Sequence, residues 1–146
     1  MTVYYEDLKV GMSVTKERTV TERDIDLFGE ATGDMNPVHF DEAYARKTLF
    51  RGRVAHGALA IGFISALVGN EMPGAGSIFL SATIAFKSPV RIGDTVVTTG
   101  TVLEVRERRE VLIRCTCTVN GKLAVESDVL VMAPKRPTER GAETKA

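Results

Sequence analysis

The chain lacks an excess of charge of either sign. Its 146 residues include 19 Lys and Arg and 19 Asp and Glu, so the formal net charge at pH 7 is zero. Proteins that bind nucleic acids or anionic membranes carry positively charged surfaces, and a balanced composition gives no sign of one. A small molecule or another protein is therefore the expected partner, and neither nucleic acid nor membrane binding is expected.

Long apolar runs are also missing. No segment approaches the roughly 20 apolar residues that cross a bilayer, and the N-terminus has no signal-like apolar core. These absences predict a cytoplasmic protein. With 44% apolar residues, the chain can form one core. We therefore expect a single domain over residues 1–134, followed by a polar, flexible tail over residues 135–146.

Cysteine is scarce, with two residues in the whole chain. Cys115 and Cys117 are two positions apart, so in a strand their side chains point to the same face and are poorly placed to bond each other. No second pair of ligands accompanies them. They are interpreted as reduced core thiols rather than as a disulfide or a metal site.

Helix signals dominate the first half of the chain. After a short strand at 13–20, a helix is predicted to begin near Thr21, a capping residue, and to stop at Gly33. Asp41 can cap a second short helix. The longest apolar stretch, residues 54–68, is apolar on nearly all sides and predicts a buried helix of about four turns.

From residue 77 onward, the apolar residues repeat with the period of two that is typical of strands. Strands are predicted at 77–88, 95–106, 111–120 and 123–132, the last completing a meander, and Asn120-Gly121 is a hairpin signal. A long buried helix followed by antiparallel strands predicts an α+β domain in which a curved sheet wraps a central helix. The open sheet edge favours dimerisation.

Two acid/base side chains stand out between the predicted helices. Asp34 and His39 lie five positions apart around Pro37, which cannot continue a helix, so the segment is predicted to be an irregular loop. The other histidine of the chain, His56, stands at the start of the long apolar stretch. It is interpreted as a hydrogen-bonded histidine rather than a second base, and no metal site is expected because three protein ligands are lacking.

The segment Asp34-Met35-Asn36-Pro37-Val38-His39 resembles the hydratase motif of the MaoC-like, (R)-specific enoyl-CoA hydratases, which have the hot-dog fold. The resemblance continues through residues 50–57, 67–69, 80–90 and 93–94, and so extends from about residue 10 to residue 132. It implies a hot-dog domain, that is, a curved antiparallel sheet wrapped around a long central helix. With the open sheet edge, this predicts a homodimer, and a higher homo-oligomer stays open.

The resemblance also implies a hydro-lyase that adds water reversibly to a trans-2-enoyl-CoA and gives an (R)-3-hydroxyacyl-CoA. Asp34 and His39 would hold and polarise the water, supported by Asn36 and Ser65. The backbone N–H of Gly57 would stabilise the enolate-like thioester oxygen. No separate cofactor is implied, because coenzyme A is part of the substrate. Which of Asp34 and His39 is the base stays open.

Other interpretations remain at this point. Lys87 and Arg91 are candidates for binding the phosphates of coenzyme A, although a lysine that points out from a strand is usually only solvated. The alternative functions are a 3-hydroxyacyl-ACP dehydratase, a hot-dog acyl-CoA thioesterase and a noncatalytic acyl-binding module. The absence of Asp and Glu from residues 54–68 counts against a thioesterase. The acid/base pair counts against a module that only binds.

Overall fold

A computed structural model of the chain describes residues 2–138. In that part, the helices are α1 (Glu22–Thr32), α2 (Pro37–Phe40), α3 (Glu42–Ala45) and α4 (Gly57–Asn70), after a 3-10 turn at Tyr5–Asp7. The strands are β1 (Ser13–Thr19), β2 (Ile78–Phe86), β3 (Thr95–Val105), β4 (Glu110–Val119) and β5 (Lys122–Met132). Most of the predicted tail lies outside the described residues, so its flexibility stays a prediction. Arg136, near its start, forms an ion pair with Asp7.

Capping side chains determine where α1 and α3 begin and end. The Thr21 hydroxyl accepts a hydrogen bond from the Asp24 N–H, and the Asp24 carboxylate accepts one from the Thr21 N–H, which makes a capping box. Gly33 ends α1 with φ at 78°, a conformation that costs glycine little. Asp41 begins α3 by accepting a hydrogen bond from the Tyr44 N–H. The predicted caps are confirmed at all three positions.

The five strands form one antiparallel sheet in the order β1-β3-β4-β5-β2. Strands β3, β4 and β5 form a meander, and Asn120 and Gly121 have the positive φ values expected of the predicted hairpin turn. Strand β2 pairs with β5 and not with β3, its successor in the chain. Between β2 and β3 the chain leaves the sheet. Its main-chain carbonyls accept hydrogen bonds from other segments there: Val90 from the Ala55 N–H and Asp94 from the Val20 N–H.

Helix α4 packs on the sheet and supplies the centre of the core. Its buried side chains, Ile64 and Val68, share one apolar cluster with the inward residues of the strands. Gly100 in β3 allows a close approach, because a Cβ there would lie 3.1 Å from the Leu67 Cδ2 atom. The prediction of an α+β domain with an antiparallel sheet packed on a long helix is confirmed.

The start of α4 differs from the sequence prediction. The Val54 N–H donates to the Val38 carbonyl, and the Ala55 N–H donates to the Val90 carbonyl. Both amides are thus paired with other segments, and the helix begins only at Gly57, with His56 as its N-cap residue. The helix continues to Asn70, two residues beyond the predicted end at residue 68.

The two cysteines are free and buried, which agrees with their interpretation as core thiols. Burial raises the pKa of Cys115 to about 12, and burial also raises the pKa of Cys117. Neither thiol is therefore ionised at neutral pH. In the part of the chain that the structure describes, no helix has the length and apolar character needed to span a bilayer. The predicted cytoplasmic location stays a prediction.

Candidate active site

Asp34 follows the glycine that ends α1, and it lies at the surface on a short extended segment. Its N–H donates a hydrogen bond to the Thr32 hydroxyl at 3.2 Å. One carboxylate oxygen, Oδ1, accepts a hydrogen bond from the Asn36 N–H at 3.2 Å. The carboxylate is thus oriented by one backbone amide of its own loop, and Oδ2 is left for another donor.

His39 lies on a helix rather than on the loop that the sequence predicted. Asn36 caps the single turn of α2 by accepting a hydrogen bond from the Val38 N–H, and Pro37 occupies the first helical position, where a missing N–H costs nothing. The prediction of an irregular loop from residue 34 to residue 39 is therefore wrong for its second half. The same proline that cannot continue α1 begins α2, and this turn holds His39 in a buried position.

One ring nitrogen of His39 has a defined role. Nδ1 donates a hydrogen bond to the main-chain carbonyl of Val54 at 2.8 Å, because a carbonyl oxygen can only accept. In the neutral ring, the lone pair then belongs to Nε2. His39 also lines the main pocket, so this tautomer gives the pocket a proton acceptor.

The structure brings Asp34 and His39 together and adds His56 to them. Donor atoms of these three side chains all lie within 4.8 Å of one another. The rings of His39 and His56 are stacked, with centroids 3.9 Å apart and an interplanar angle of 30°. Nε2 of His56 donates a hydrogen bond to the main-chain carbonyl of Asp34 at 2.9 Å.

This group of three residues also has the donor types of a metal site. A metal ion binds an imidazole in the plane of the ring, at about 2.0–2.1 Å from nitrogen. In each histidine one ring nitrogen is already bonded to a main-chain carbonyl, of Val54 for His39 and of Asp34 for His56. The expected absence of a metal stays a prediction.

A pocket with a volume of about 560 Å³ opens beside this cluster. Its polar lining includes Asn36, His39, His56 and Lys87, and most of the remaining lining is apolar. Phe86, Leu59 and Phe63 contribute to the apolar wall. A pocket of this size with a few polar groups is typical of a small-molecule site.

Gly57 lies on the pocket wall at the first position of α4. The first amides of a helix have no partner within the helix, and the helix dipole favours negative charge there. The ring of Phe86 packs on this glycine so closely that a Cβ at position 57 would lie 2.8 Å from the Phe86 Cε1 atom. The position thus combines an amide donor with close packing by Phe86 that a larger residue would disturb.

Lys87 and Arg91 both line the pocket, but they differ in their contacts. Lys87 is exposed. The guanidinium of Arg91 donates hydrogen bonds to the main-chain carbonyls of Phe50 and Arg53, at 2.6 and 3.2 Å. Arg91 therefore holds the 50–53 segment in place, and Lys87 is the better candidate for meeting a phosphate. Binding of phosphate by either residue stays a prediction.

Ser65 does not line the pocket. It lies on an exposed stripe of α4, two turns from Gly57. Within the described residues of one chain, the structure does not place Ser65 beside Asp34 and His39, so its supporting role stays a prediction.

Two residues of the site have roles that the sequence did not reveal. Arg53 donates from Nε to the His39 carbonyl at 2.7 Å, and its terminal nitrogens donate to the Glu22 carboxylate. His56 contacts both members of the pair, as described above. The sequence shows Arg53 and His56 close to the start of α4, but it does not show their partners. Those partners lie 14 to 31 positions away in the chain.

Residues 7–122 match the family described as MaoC like domain. The (R)-specific enoyl-CoA hydratase of Rhodospirillum rubrum is 48% identical over 134 residues, which cover 91% of this chain and 93% of that protein. The 3-hydroxybutyryl-CoA dehydratase of Methylorubrum extorquens is 40% identical over 135 residues, covering 92% of this chain and 86% of that protein.

A solved structure agrees with these sequence matches. The unliganded R-hydratase PhaJ1 from Pseudomonas aeruginosa is similar with a TM-score of 0.88 at 37% identity, and the match covers 92% of this chain and 88% of that one. The shared architecture therefore includes the sheet, α4 and the segment that carries Asp34 and His39. This similarity confirms the hot-dog fold that the sequence implied.

Proposed function

The chain belongs to the family of MaoC-like domains, and on that premise we propose that it is an (R)-specific enoyl-CoA hydratase in which Asp34 and His39 activate water. The enzyme adds water reversibly to a trans-2-enoyl-CoA and gives an (R)-3-hydroxyacyl-CoA. The observation that carries the proposal is the convergence of the Asp34 carboxylate and the His39 imidazole beside a mostly apolar pocket.

His39 is the base in the direction of hydration. Its Nδ1 is committed to the Val54 carbonyl, so the lone pair of the neutral ring is on Nε2. As the water oxygen bonds to the β-carbon, one water proton passes to Nε2, and the π electrons move toward the α-carbon and the thioester oxygen. Nε2 then gives a proton to the α-carbon on the same face, so the imidazole returns to its starting state.

Asp34 orients the water and stabilises the charge that forms on His39. Its Oδ1 is held by the Asn36 N–H, which leaves Oδ2 to accept a hydrogen bond from the second water hydrogen. A carboxylate close to the imidazolium lowers the energy of the transition state in which the proton has moved to Nε2.

The first turn of α4 stabilises the thioester group of the substrate. Negative charge develops on the thioester oxygen during addition, and the Gly57 N–H is unpaired within the helix. The apolar wall of the pocket excludes water from the acyl chain and strengthens this hydrogen bond. Lys87, at the exposed rim, is proposed to contact the coenzyme A phosphates.

A thioesterase is disfavoured by the composition of α4. Hydrolysis on this fold needs an acidic residue on the central helix to aim water at the carbonyl carbon, and residues 57–70 contain no Asp or Glu. The pair Asp34 and His39 instead suits a reaction that moves a proton from water to carbon.

The enzyme is proposed to work as a homodimer. Strand β2 is an edge of the sheet, and five of its apolar side chains are exposed: Ile78, Phe79, Leu80, Ile84 and Phe86. An unpaired apolar edge strand is a template for pairing with a second chain. Antiparallel pairing of two β2 strands would join the two sheets and cover this surface.

The test is a spectrophotometric hydration assay with crotonyl-CoA and longer trans-2-enoyl-CoAs, run in parallel with crotonyl-ACP. Asp34→Asn and His39→Ala are each expected to lower kcat by about 100-fold or more with folding intact, the usual scale for losing acid/base help. Asp26→Asn, which changes an exposed carboxylate on α1, is the matched control and should keep wild-type activity.

Three outcomes would overturn the proposal. Wild-type kcat in both dyad variants would remove Asp34 and His39 from the mechanism. An (S)-3-hydroxyacyl product would contradict the stereochemical assignment. A strong preference for crotonyl-ACP over crotonyl-CoA would replace the coenzyme A substrate with the carrier protein.

A further inference from the structure

His56 connects three parts of the proposed active site that lie far apart in the sequence. It is 2% exposed and precedes Gly57 directly, so it forms the N-cap position of α4. Its side chain makes no capping hydrogen bond to the helix. The ring is directed instead toward Asp34 and His39, which places one residue in contact with both members of the pair and next to the proposed oxyanion donor.

The contact with Asp34 is a hydrogen bond to its backbone. Nε2 of His56 donates to the Asp34 carbonyl at 2.9 Å across 22 positions of sequence. The other contacts that orient Asp34 come from its own loop, from Thr32 and Asn36. Since that loop is exposed, the bond from the buried His56 helps to tie it to the core.

The contact with His39 is a ring stack that fixes its position from one side. The two centroids are 3.9 Å apart, while the rings of Phe28 and Phe40 lie 4.7 and 5.5 Å from that of His56. His56 is thus held between aromatic neighbours, and it limits the movement of the His39 ring perpendicular to its plane. The Val54 carbonyl limits its rotation.

The second ring nitrogen explains which tautomer makes these contacts. Nδ1 of His56 is buried and has no hydrogen-bond partner among residues 2–138. A proton on Nδ1 would therefore be a buried donor without an acceptor, whereas a proton on Nε2 has the Asp34 carbonyl. The neutral ring is held as a donor toward Asp34.

We propose that His56 is a positioning residue that sets the distance between Asp34 and His39 through its hydrogen bond to the Asp34 carbonyl and its stack on the His39 ring. This inference rests on the proposed hydratase function. It goes beyond that function because it assigns a task in catalysis to a residue outside the pair Asp34 and His39. Its loss slows the chemical step while substrate binding is retained.

Three substitutions at position 56 separate the hydrogen bond from the space that the side chain fills. In His56→Gln the amide Nε2 is at about the same reach from the backbone as the histidine Nε2, so a donor to Asp34 is kept. In His56→Asn the amide is one methylene shorter and cannot reach. His56→Phe keeps a ring against His39 but has no donor.

The expected result is a split between kcat and KM. His56→Asn and His56→Phe should lower kcat about tenfold or more, the size of one lost neutral hydrogen bond in a transition state, with KM within twofold of wild type. His56→Gln should recover at least about fivefold of the kcat lost in His56→Asn. Circular dichroism and thermal melting verify that each variant is folded, and if His56→Asn does not fold, His56→Phe takes its place in the comparison.

Phe28→Leu is the packing control, because it removes a ring that contacts His56 without removing a hydrogen bond. Equal kcat values in the Gln and Asn variants, wild-type kcat in His56→Phe, or a loss in Phe28→Leu as large as that in His56→Phe would each overturn the inference. Failure of the proposed function is recognised separately, because wild-type protein would then not hydrate crotonyl-CoA at all.

Discussion

Arg53 donates a hydrogen bond from Nε to the main-chain carbonyl of His39, with a distance of 2.7 Å. Its two terminal nitrogens donate to the carboxylate of Glu22 at 2.7 and 3.2 Å, and the side chain is 16% exposed. A planar guanidinium can serve these three acceptors at once. Arg53 therefore ties the turn that carries His39 to the first residue of α1.

Lysine cannot replace this contact, because its ammonium is a point charge without the fork of a guanidinium. Arg53→Lys is expected to lower kcat by about tenfold, since charge-assisted hydrogen bonds contribute about 1.5–3 kcal/mol and part of that is kept by the lysine. The hydration assay with crotonyl-CoA measures this loss of kcat. Arg46→Lys, which alters an exposed ion pair with Glu42, should leave kcat unchanged. Equal activity of both variants would show that Arg53 has no influence on His39.

The sequence was a good guide wherever the structure depends on neighbouring residues. The caps at Thr21, Gly33 and Asp41 act on amides within three or four positions, and the chemistry of such contacts can be recognised from residue type alone. The hairpin at Asn120 and Gly121 is of the same kind. The pair Asp34 and His39 stood out as two acid/base side chains five positions apart around Pro37, and a resemblance over six consecutive residues gave it a function.

Contacts between residues far apart in the chain could not be predicted from the sequence. The start of α4 depends on the amides of Val54 and Ala55, which pair with segments 16 and 35 positions away. The place of β2 beside β5 depends on the path of the chain between β2 and β3, and no local pattern encodes that path. The hydrogen bond expected of His56 is confirmed, but its partner, the Asp34 carbonyl, is 22 positions away and could not be predicted.

Gly57 offers a test of the proposed oxyanion donor. In Gly57→Ala the new Cβ would lie 2.8 Å from the ring of Phe86, which is 57% exposed and can shift outward. The shifted ring displaces the pocket wall beside the Gly57 amide, so kcat/KM is expected to fall by about tenfold to a thousandfold, the range for a weakened oxyanion donor. The protein should remain folded.

Gly69→Ala is the matched control for that experiment. It lies in the same helix, and a Cβ there meets no atom within 4 Å. Replacing glycine by alanine in a helix should stabilise the protein by up to about 1 kcal/mol without changing kcat/KM. If Gly57→Ala retains full activity, the Gly57 amide is not the group that stabilises the thioester oxygen.

The carboxyl group of Asp24 is expected to stabilise the folded protein to an extent that depends on pH. Burial raises the pKa of this carboxyl, but the hydrogen bond from the Thr21 N–H and the ion pair with Arg18 outweigh that effect, so the pKa is lowered in the folded protein. Folding therefore favours the charged form. The contribution is fully present above the unfolded pKa of about 3.9 and is lost as the pH falls through the lower folded value.

Asp24→Asn should accordingly lower the melting temperature by about 2–4 °C at pH 7, which corresponds to about 1 kcal/mol for a capping residue. The difference in melting temperature between Asp24→Asn and wild type should shrink as the pH falls below the pKa of this carboxyl in the unfolded chain. Melting curves from pH 7 to pH 2.5 measure it, with Asp26→Asn as the exposed control. A difference that is the same at both ends of this range would exclude the charge of Asp24 as its cause.

The proposed dimer can be tested by placing one charged residue in the edge strand β2. Ile84 lies near the middle of this edge strand and is 38% exposed, although it is apolar. A lysine there would have to be desolvated in an edge-to-edge dimer, whereas in a monomer it would remain in water. Ile84→Lys is therefore expected to shift the molar mass measured by light scattering from that of two chains toward the 15.9 kDa of one chain. Val10→Lys, at a residue that is exposed outside the sheet, should stay dimeric. A dimer that tolerates Ile84→Lys at micromolar concentration must use a surface other than the centre of β2.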